Sequence, residues 1–167
     1  MMPTEKAIEI GRELAERWTF HLETRQPETN RLDVLLASPD DLVPFAVALR
    51  VQRIGYLAAV TGLDPGAESG NLELLYHFCQ GAAVVTLRLL VPRQGAVVPT
   101  LSSIIPSAES SEREIAEMFG VTFDGLRAAG HLYLPDEWPE ATYPLRKEYI
   151  PSAVSPPVRA GATAAGD

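Results

Sequence analysis

Two apolar runs, Leu72 to Cys79 and Ala82 to Val91, are joined by only Gln80-Gly81. A connection that short makes them an antiparallel hairpin. In the second run the apolar residues fill both sides of the strand, so it belongs in the interior of a sheet with neighbours on either hand. Tyr56 to Val60 reads as a third strand, separated from the hairpin by the Asp64-Pro65-Gly66 to Gly70 turn. A further pair lies near the start of the chain. Phe20, Leu22 and Thr24 alternate, as do Leu32, Val34 and Leu36, with Gln26-Pro27-Glu28-Thr29-Asn30 as the turn between them.

Helices fill the spaces between these strands. Ala7, Ile10, Leu14 and Trp18 share one face of a helix from about residue 4 to 18, whose other face carries Glu5, Glu9, Arg12 and Glu16. Ser38-Pro39-Asp40-Asp41 reads as a helix start, with a capping serine, a proline at the first position and acids facing the positive end of the dipole. Leu42, Phe45, Ala46 and Leu49 form the buried face of that helix, and Gly55 is expected to end it. A third helix follows Ile104-Ile105-Pro106: Ser111 and Glu114 match a capping box, Ile115, Met118 and Phe119 repeat at helical spacing, and Gly120 can take the positive φ of a helix end. The fold class is therefore α+β, a mixed sheet flanked by helices with an extended C-terminal arm. Residues 1–121 form the core domain ending in the third helix. Residues 122–151, rich in proline, glycine and aromatics without a clear period, form an extended docking arm, and 152–167 is expected to be a disordered tail.

The chain offers little chemistry of its own. His77 and Cys79 lie two apart on a strand and point to one face, but nothing completes a metal site, and a packed histidine with a small buried thiol is the simpler reading. His21 and His131 stand in separate elements. Cys79 is the single cysteine, which excludes an all-cysteine iron–sulfur site within the chain. The glycines from 62 to 70 match neither phosphate-cradling pattern. The formal charge of −8 disfavours nucleic acid and anionic lipid as main partners. The apolar runs are too short to span a bilayer, so membrane association is expected only through partners. The N-terminus carries no secretory pattern.

The residues from 112 onward say more. Glu112-Arg113-Glu114 runs into two apolar residues, Met118-Phe119, before Gly120; Phe123, Leu134-Pro135 and Trp138 follow, then Pro144-Leu145-Arg146-Lys147-Glu148-Tyr149. In this order they resemble the thirty-kilodalton subunit, or C subunit, of respiratory NADH:quinone oxidoreductase (complex I) and its counterparts in membrane-bound [NiFe] hydrogenases. The family's histidine, proline, aspartate and paired arginines between Gly125 and Leu132 are replaced by Leu126-Arg127-Ala128-Ala129-Gly130-His131, at unchanged spacing to Trp138.

The resemblance implies a similar fold and a non-redox connecting role in the peripheral arm, packed against the forty-nine-kilodalton large subunit (the D subunit) and other peripheral-arm subunits. It implies a place on the cytoplasmic side of the cell membrane. The assembly would pass electrons from NADH to quinone, coupled to ion translocation, with flavin and iron–sulfur clusters in other chains and no cofactor or catalytic residue in this one. Glu112, Arg113, Glu114, Phe119, Trp138, Pro144, Leu145, Arg146 and Lys147 are the expected partner interface. Glu112 shares the stripe of Ile115 and Phe119, so it either meets a cation, Arg146 or a partner's arginine, or stays a solvated first-turn acid. Arg113 and Glu117, four apart, can pair with each other. Trp138 suits an anchor inserted into a partner's pocket. Two alternatives stand beside this reading: the same scaffold in a hydrogenase or formate-hydrogenlyase-type complex, and a free-standing small-molecule enzyme or binding module, for which no convergent polar site can be nominated.

Overall fold

A computed structural model describes residues 2–19, 22–127 and 130–151. Phe20, His21 and the expected tail at 152–167 lie outside the described residues, as do Ala128 and Ala129 of the altered loop. In chain order the elements are α1 (Thr4–Glu16), β1 (Glu23–Glu28), β2 (Arg31–Leu35), α2 (Leu42–Val51), β3 (Tyr56–Leu63), β4 (Asn71–Gln80), β5 (Ala83–Pro92), β6 (Val97–Pro99), α3 (Ala108–Phe119) and β7 (Thr122–Asp124).

The main sheet has the order β1-β2-β5-β4-β3, with β5 at its centre as its two apolar sides require. Both hairpins are antiparallel, and β2 runs parallel to β5, so the sheet is mixed. Leu32, Val85, Phe78 and Leu57 sit in register across four strands, as do Val34, Leu87, Tyr76 and Val60, and together they line one face. Helix α1 covers this face at β2 and β5, where Gly11 lies against Leu32 and Val85, and α3 covers it at β3. The buried face of α2, including Phe45 and Leu49, joins the same core. Trp18 closes one end of this core, its ring 4.8 Å from that of Phe45 and its indole N–H donating to Asp41 at 2.9 Å. The opposite sheet face carries Arg88 between Asp33 and Glu73, at 2.9 and 2.6 Å.

Several boundaries differ from those expected. β1 continues through Pro27 to Glu28, and the turn shrinks to Thr29-Asn30; β1 is an edge strand, where a missing amide proton costs no ladder bond. The capping serine at 38 works as read, but it starts a 3-10 turn over Pro39–Asp41, with the Asp41 carboxylate accepting from the Ser38 amide. α2 stops at Val51 ahead of Gly55, because Arg53 takes a left-handed conformation at φ 58°. α3 begins at Ala108, so Ser111 and Glu114 lie inside the helix and the expected capping box does not form. Turns from Leu101 through Ile105 feed straight into it, with Ile105 N–H donating to Leu101 at 2.7 Å and Ala108 N–H to Ile105 at 2.9 Å.

Candidate partner interface

The expected interface begins at α3, whose seat on the sheet is set by one missing side chain. Gly62 of β3 lies under the Phe119 ring, and a Cβ there would approach the ring to 2.7 Å. Ile115 and Phe119 are buried on the sheet, and Glu112, one turn earlier on the same stripe, is fully enclosed. It neither meets a cation nor faces solvent, which corrects both readings offered by the sequence. Its carboxyl accepts from the Leu101 amide at 2.9 Å, from the Tyr76 hydroxyl at 3.4 Å and from the Thr100 hydroxyl. Neutral donors can take the place of a cation when they satisfy every lone pair. Burial pushes the Glu112 carboxyl up, against the opposing pull of these hydrogen bonds. As part of an external surface Glu112 is therefore withdrawn: it ties α3 to the loop after β6.

Arg113 and Glu117 do not pair with each other either. Arg113 donates to the Gly130 carbonyl at 3.1 Å. Glu117 accepts from three successive amides, Leu132, Tyr133 and Leu134, at 3.1, 2.9 and 3.0 Å, and is 2.8 Å from the His131 ring. Burial alone would raise its carboxyl, but the donors of Tyr133, Leu134, His131 and Leu132 outweigh burial and hold it below the usual range. The two charges thus hold the chain around the altered loop against the side of α3, a use that four-residue spacing could not reveal.

Among the described residues, the 122–151 segment is bound to its own domain at several points. β7 pairs in parallel with β6, so no boundary falls at 121. Further on, Arg146 sits at the C-terminal end of α3 and donates to the Phe119 carbonyl from Nε at 2.8 Å and Nη2 at 2.6 Å, and to the Arg93 carbonyl at 2.8 Å. A cation there satisfies an orphan carbonyl and the negative end of the dipole. Its guanidinium also lies 4.5 Å from the Tyr143 ring centre. Gly120, at φ 71°, leaves room for that ring: a Cβ would stand 2.3 Å from it. Gly120→Ala is expected to lose at least about 1 kcal/mol from the left-handed backbone alone and to loosen Tyr143. Thermal denaturation, with Tyr143 ring signals in NMR, checks it.

A second lock was not visible in the sequence. Arg93, after β5, forms a bidentate pair with buried Asp64 at 2.5 and 2.7 Å and reaches Glu148 with the same guanidinium. Asp64 also accepts from the amides of Gly66 at 2.8 Å and Lys147 at 2.7 Å. Its carboxyl is held well below the usual range, first by the Arg93 hydrogen bonds, against burial. Asp64 and Arg93 stand 29 residues apart, and each sits beside a proline in an ordinary turn, so no local signal marks them.

Of the expected interface residues, Phe119 is buried and Arg146 is consumed internally. Trp138 is half-buried, donating to the Thr142 carbonyl at 2.9 Å with its ring 6.1 Å from Tyr149. It lines a cleft of about 530 Å³ with Ala116, Leu126, Leu134 and Tyr143, so it forms part of a wall and is not a projecting anchor. Glu114, Leu145 and Lys147 face outward, while Pro144 is half-buried. The His77 ring nitrogens are 3.1 Å from the Thr86 hydroxyl and 3.4 Å from that of Thr61. Among the described residues no helix is long and apolar enough to cross a membrane.

A family model described as respiratory-chain NADH dehydrogenase, 30 Kd subunit, matches residues 35–154, most of the chain. The chain belongs to this family. Among its relatives, it is 33% identical over 116 residues to the C subunit of NADH-quinone oxidoreductase from Nocardioides sp., covering 66% of this chain and 46% of the relative. It is 30% identical over 148 residues to the C/D subunit of the same enzyme from Serratia proteamaculans, covering 82% of this chain and 24% of the relative. The chain therefore spans less than half the length of these relatives. A solved chain of the membrane-bound sulfane sulfur reductase, an archaeal respiratory membrane complex, superposes with a TM-score of 0.75 at 25% identity, covering 89% of this chain and 88% of that one. The chain thus shares the fold of that subunit over nearly its whole length.

Proposed function

We propose that this chain is a non-redox connecting subunit, equivalent to the C subunit, in the peripheral arm of an NADH:quinone oxidoreductase. In this reading it packs against a large subunit of the forty-nine-kilodalton type (the D subunit) on the cytoplasmic side of the cell membrane, and reaches the membrane only through the complex. It supports electron transfer from NADH to quinone, coupled to ion translocation, while the flavin and iron–sulfur clusters reside in other chains. One observation carries the reading. Three charged residues in and beside the family motifs are spent inside the chain: Glu112 on the loop after β6, Glu117 on the 132–134 amides and Arg146 on the end of α3. Groups so fully engaged hold a shape. The shape they hold presents Glu114, Leu145 and Lys147 outward.

Affinity purification of the tagged full chain from native membranes tests it. A large D-type subunit, together with a flavin- and NADH-binding subunit, is the expected result; recovery of the chain alone would overturn the proposal. The equivalent scaffold in a hydrogenase-type complex is the second reading, supported by 29% identity over 137 residues to component G of hydrogenase-4 from Escherichia coli, covering 80% of this chain and 24% of that relative. A co-purifying large subunit with nickel-ligating cysteine pairs and no NADH-binding subunit would select it.

A further inference from the structure

The two edges of the main sheet are built differently. β1, at one edge, reads Glu-Thr-Arg-Gln-Pro-Glu: three charges and a proline in six residues, the usual means of keeping an edge from pairing with another chain. β3, at the other, reads Tyr-Leu-Ala-Ala-Val-Thr-Gly-Leu, with neither charge nor proline in eight residues. The β3 ladder has β4 on one side, and among the described residues no backbone hydrogen bond reaches its outer side. Tyr56 is 68% exposed and Leu63 46%, and Ala58, Ala59 and Thr61 are exposed between them. A bulge between Leu57 and Ala59 interrupts the first part, leaving 59–63 as a regular run.

We infer that the 59–63 edge of β3 accepts an extended, uncharged segment of the large subunit, which adds a sixth strand to the sheet. The inference rests on the connecting role proposed above. Three occupants are conceivable, and the dimensions choose among them. Five residues of ladder span about 17 Å, far too short a contact to supply the roughly 800 Å² per partner of a stable pair of free proteins. A second copy held by this edge alone would therefore dissociate. The chain's own 152–167 segment contains Pro156-Pro157 and two glycines, Gly161 and Gly166, which serve a ladder poorly. A segment of a subunit already held by other contacts is different, because tethering raises its local concentration and a short ladder then suffices. Backbone bonds supply the attachment, and the small, exposed side chain of Ala59 admits close approach.

Amide hydrogen exchange, resolved by residue, tests this on the full chain alone at two concentrations and on the chain within the purified complex. The outward-facing amides of 59–63 are expected to exchange at least about tenfold more slowly in the complex. If the complex contains the large subunit but these amides exchange as they do in the free chain, the edge inference falls while the connecting role stands. If no large subunit associates, both fall. Protection in the free chain overturns the inference too: it points to a second copy if it grows with concentration, and to the chain's own C-terminal residues if it does not.

Discussion

Arg93→Ala is expected to lower stability by about 3–5 kcal/mol, because it leaves the Asp64 carboxylate buried without its cation. For a chain of this size that corresponds to a loss of about 6–20 °C in Tm. The guanidinium also binds Glu148, so the change should release 144–151 from the body of the protein. Limited proteolysis should then cut near Pro144 before the core unfolds. Arg93→Lys should recover only part of the loss, since one ammonium cannot reproduce a two-pronged contact with Asp64 while also reaching Glu148. The folded Asp64 carboxyl is depressed, so the pair's contribution is complete above the ordinary carboxylate range and fades as pH falls below it. A mutant that melted like the parent at neutral pH would show that the lock contributes nothing.

Glu112→Ala should destabilise the fold by about 3 kcal/mol, because it strands the Tyr76 hydroxyl and the Leu101 amide without an acceptor and leaves the Thr100 hydroxyl only Ser102 to donate to. Glu112→Gln keeps an acceptor and should lose much less. The pH dependence separates the two effects. The folded carboxyl is raised, so Glu112 contributes most below the unfolded value, and that part is lost as pH rises through the folded one. The advantage of the parent over Glu112→Gln should therefore grow as pH is lowered from neutrality toward the ordinary carboxyl range. Denaturant melts of both at several pH values read this directly. A parallel pair of curves would mean that the group titrates as it does in the unfolded chain.

The strands and helices were legible because each has its own period and its own punctuation. Ala83–Pro92 was readable as the central strand because it is apolar on both sides, and the Gly120 helix end was readable because a glycine follows an apolar stripe. The errors fall where a local rule met a nonlocal partner. Ser111 and Glu114 fit a capping box, but the buried Ala108 and the turn at Leu101–Ile105 extend the helix past it. Glu112 was correctly placed on the packed stripe, yet its partners come from β4 and the loop after β6, which no helical spacing can name. The same holds for Arg146. Its family motif was visible, but its target, the carbonyl of Phe119, is 27 residues away. Truncation after Leu134 would remove that guanidinium and Glu148 together, so the arm cannot be deleted without disturbing the domain.

The parallel pairing of β2 with β5 also orders events in time. Leu32 and Val85 are neighbours in the sheet but about fifty residues apart in the chain, so at synthesis rates of about 5–20 residues per second the first hairpin waits several seconds for its partner. A lone two-stranded hairpin is marginal in water. β4 and β5, by contrast, meet across two residues and can close at once. The β4–β5 hairpin is thus the template on which the first half of the chain is laid down, and the β2–β5 seam is the late, slow step of a nascent molecule.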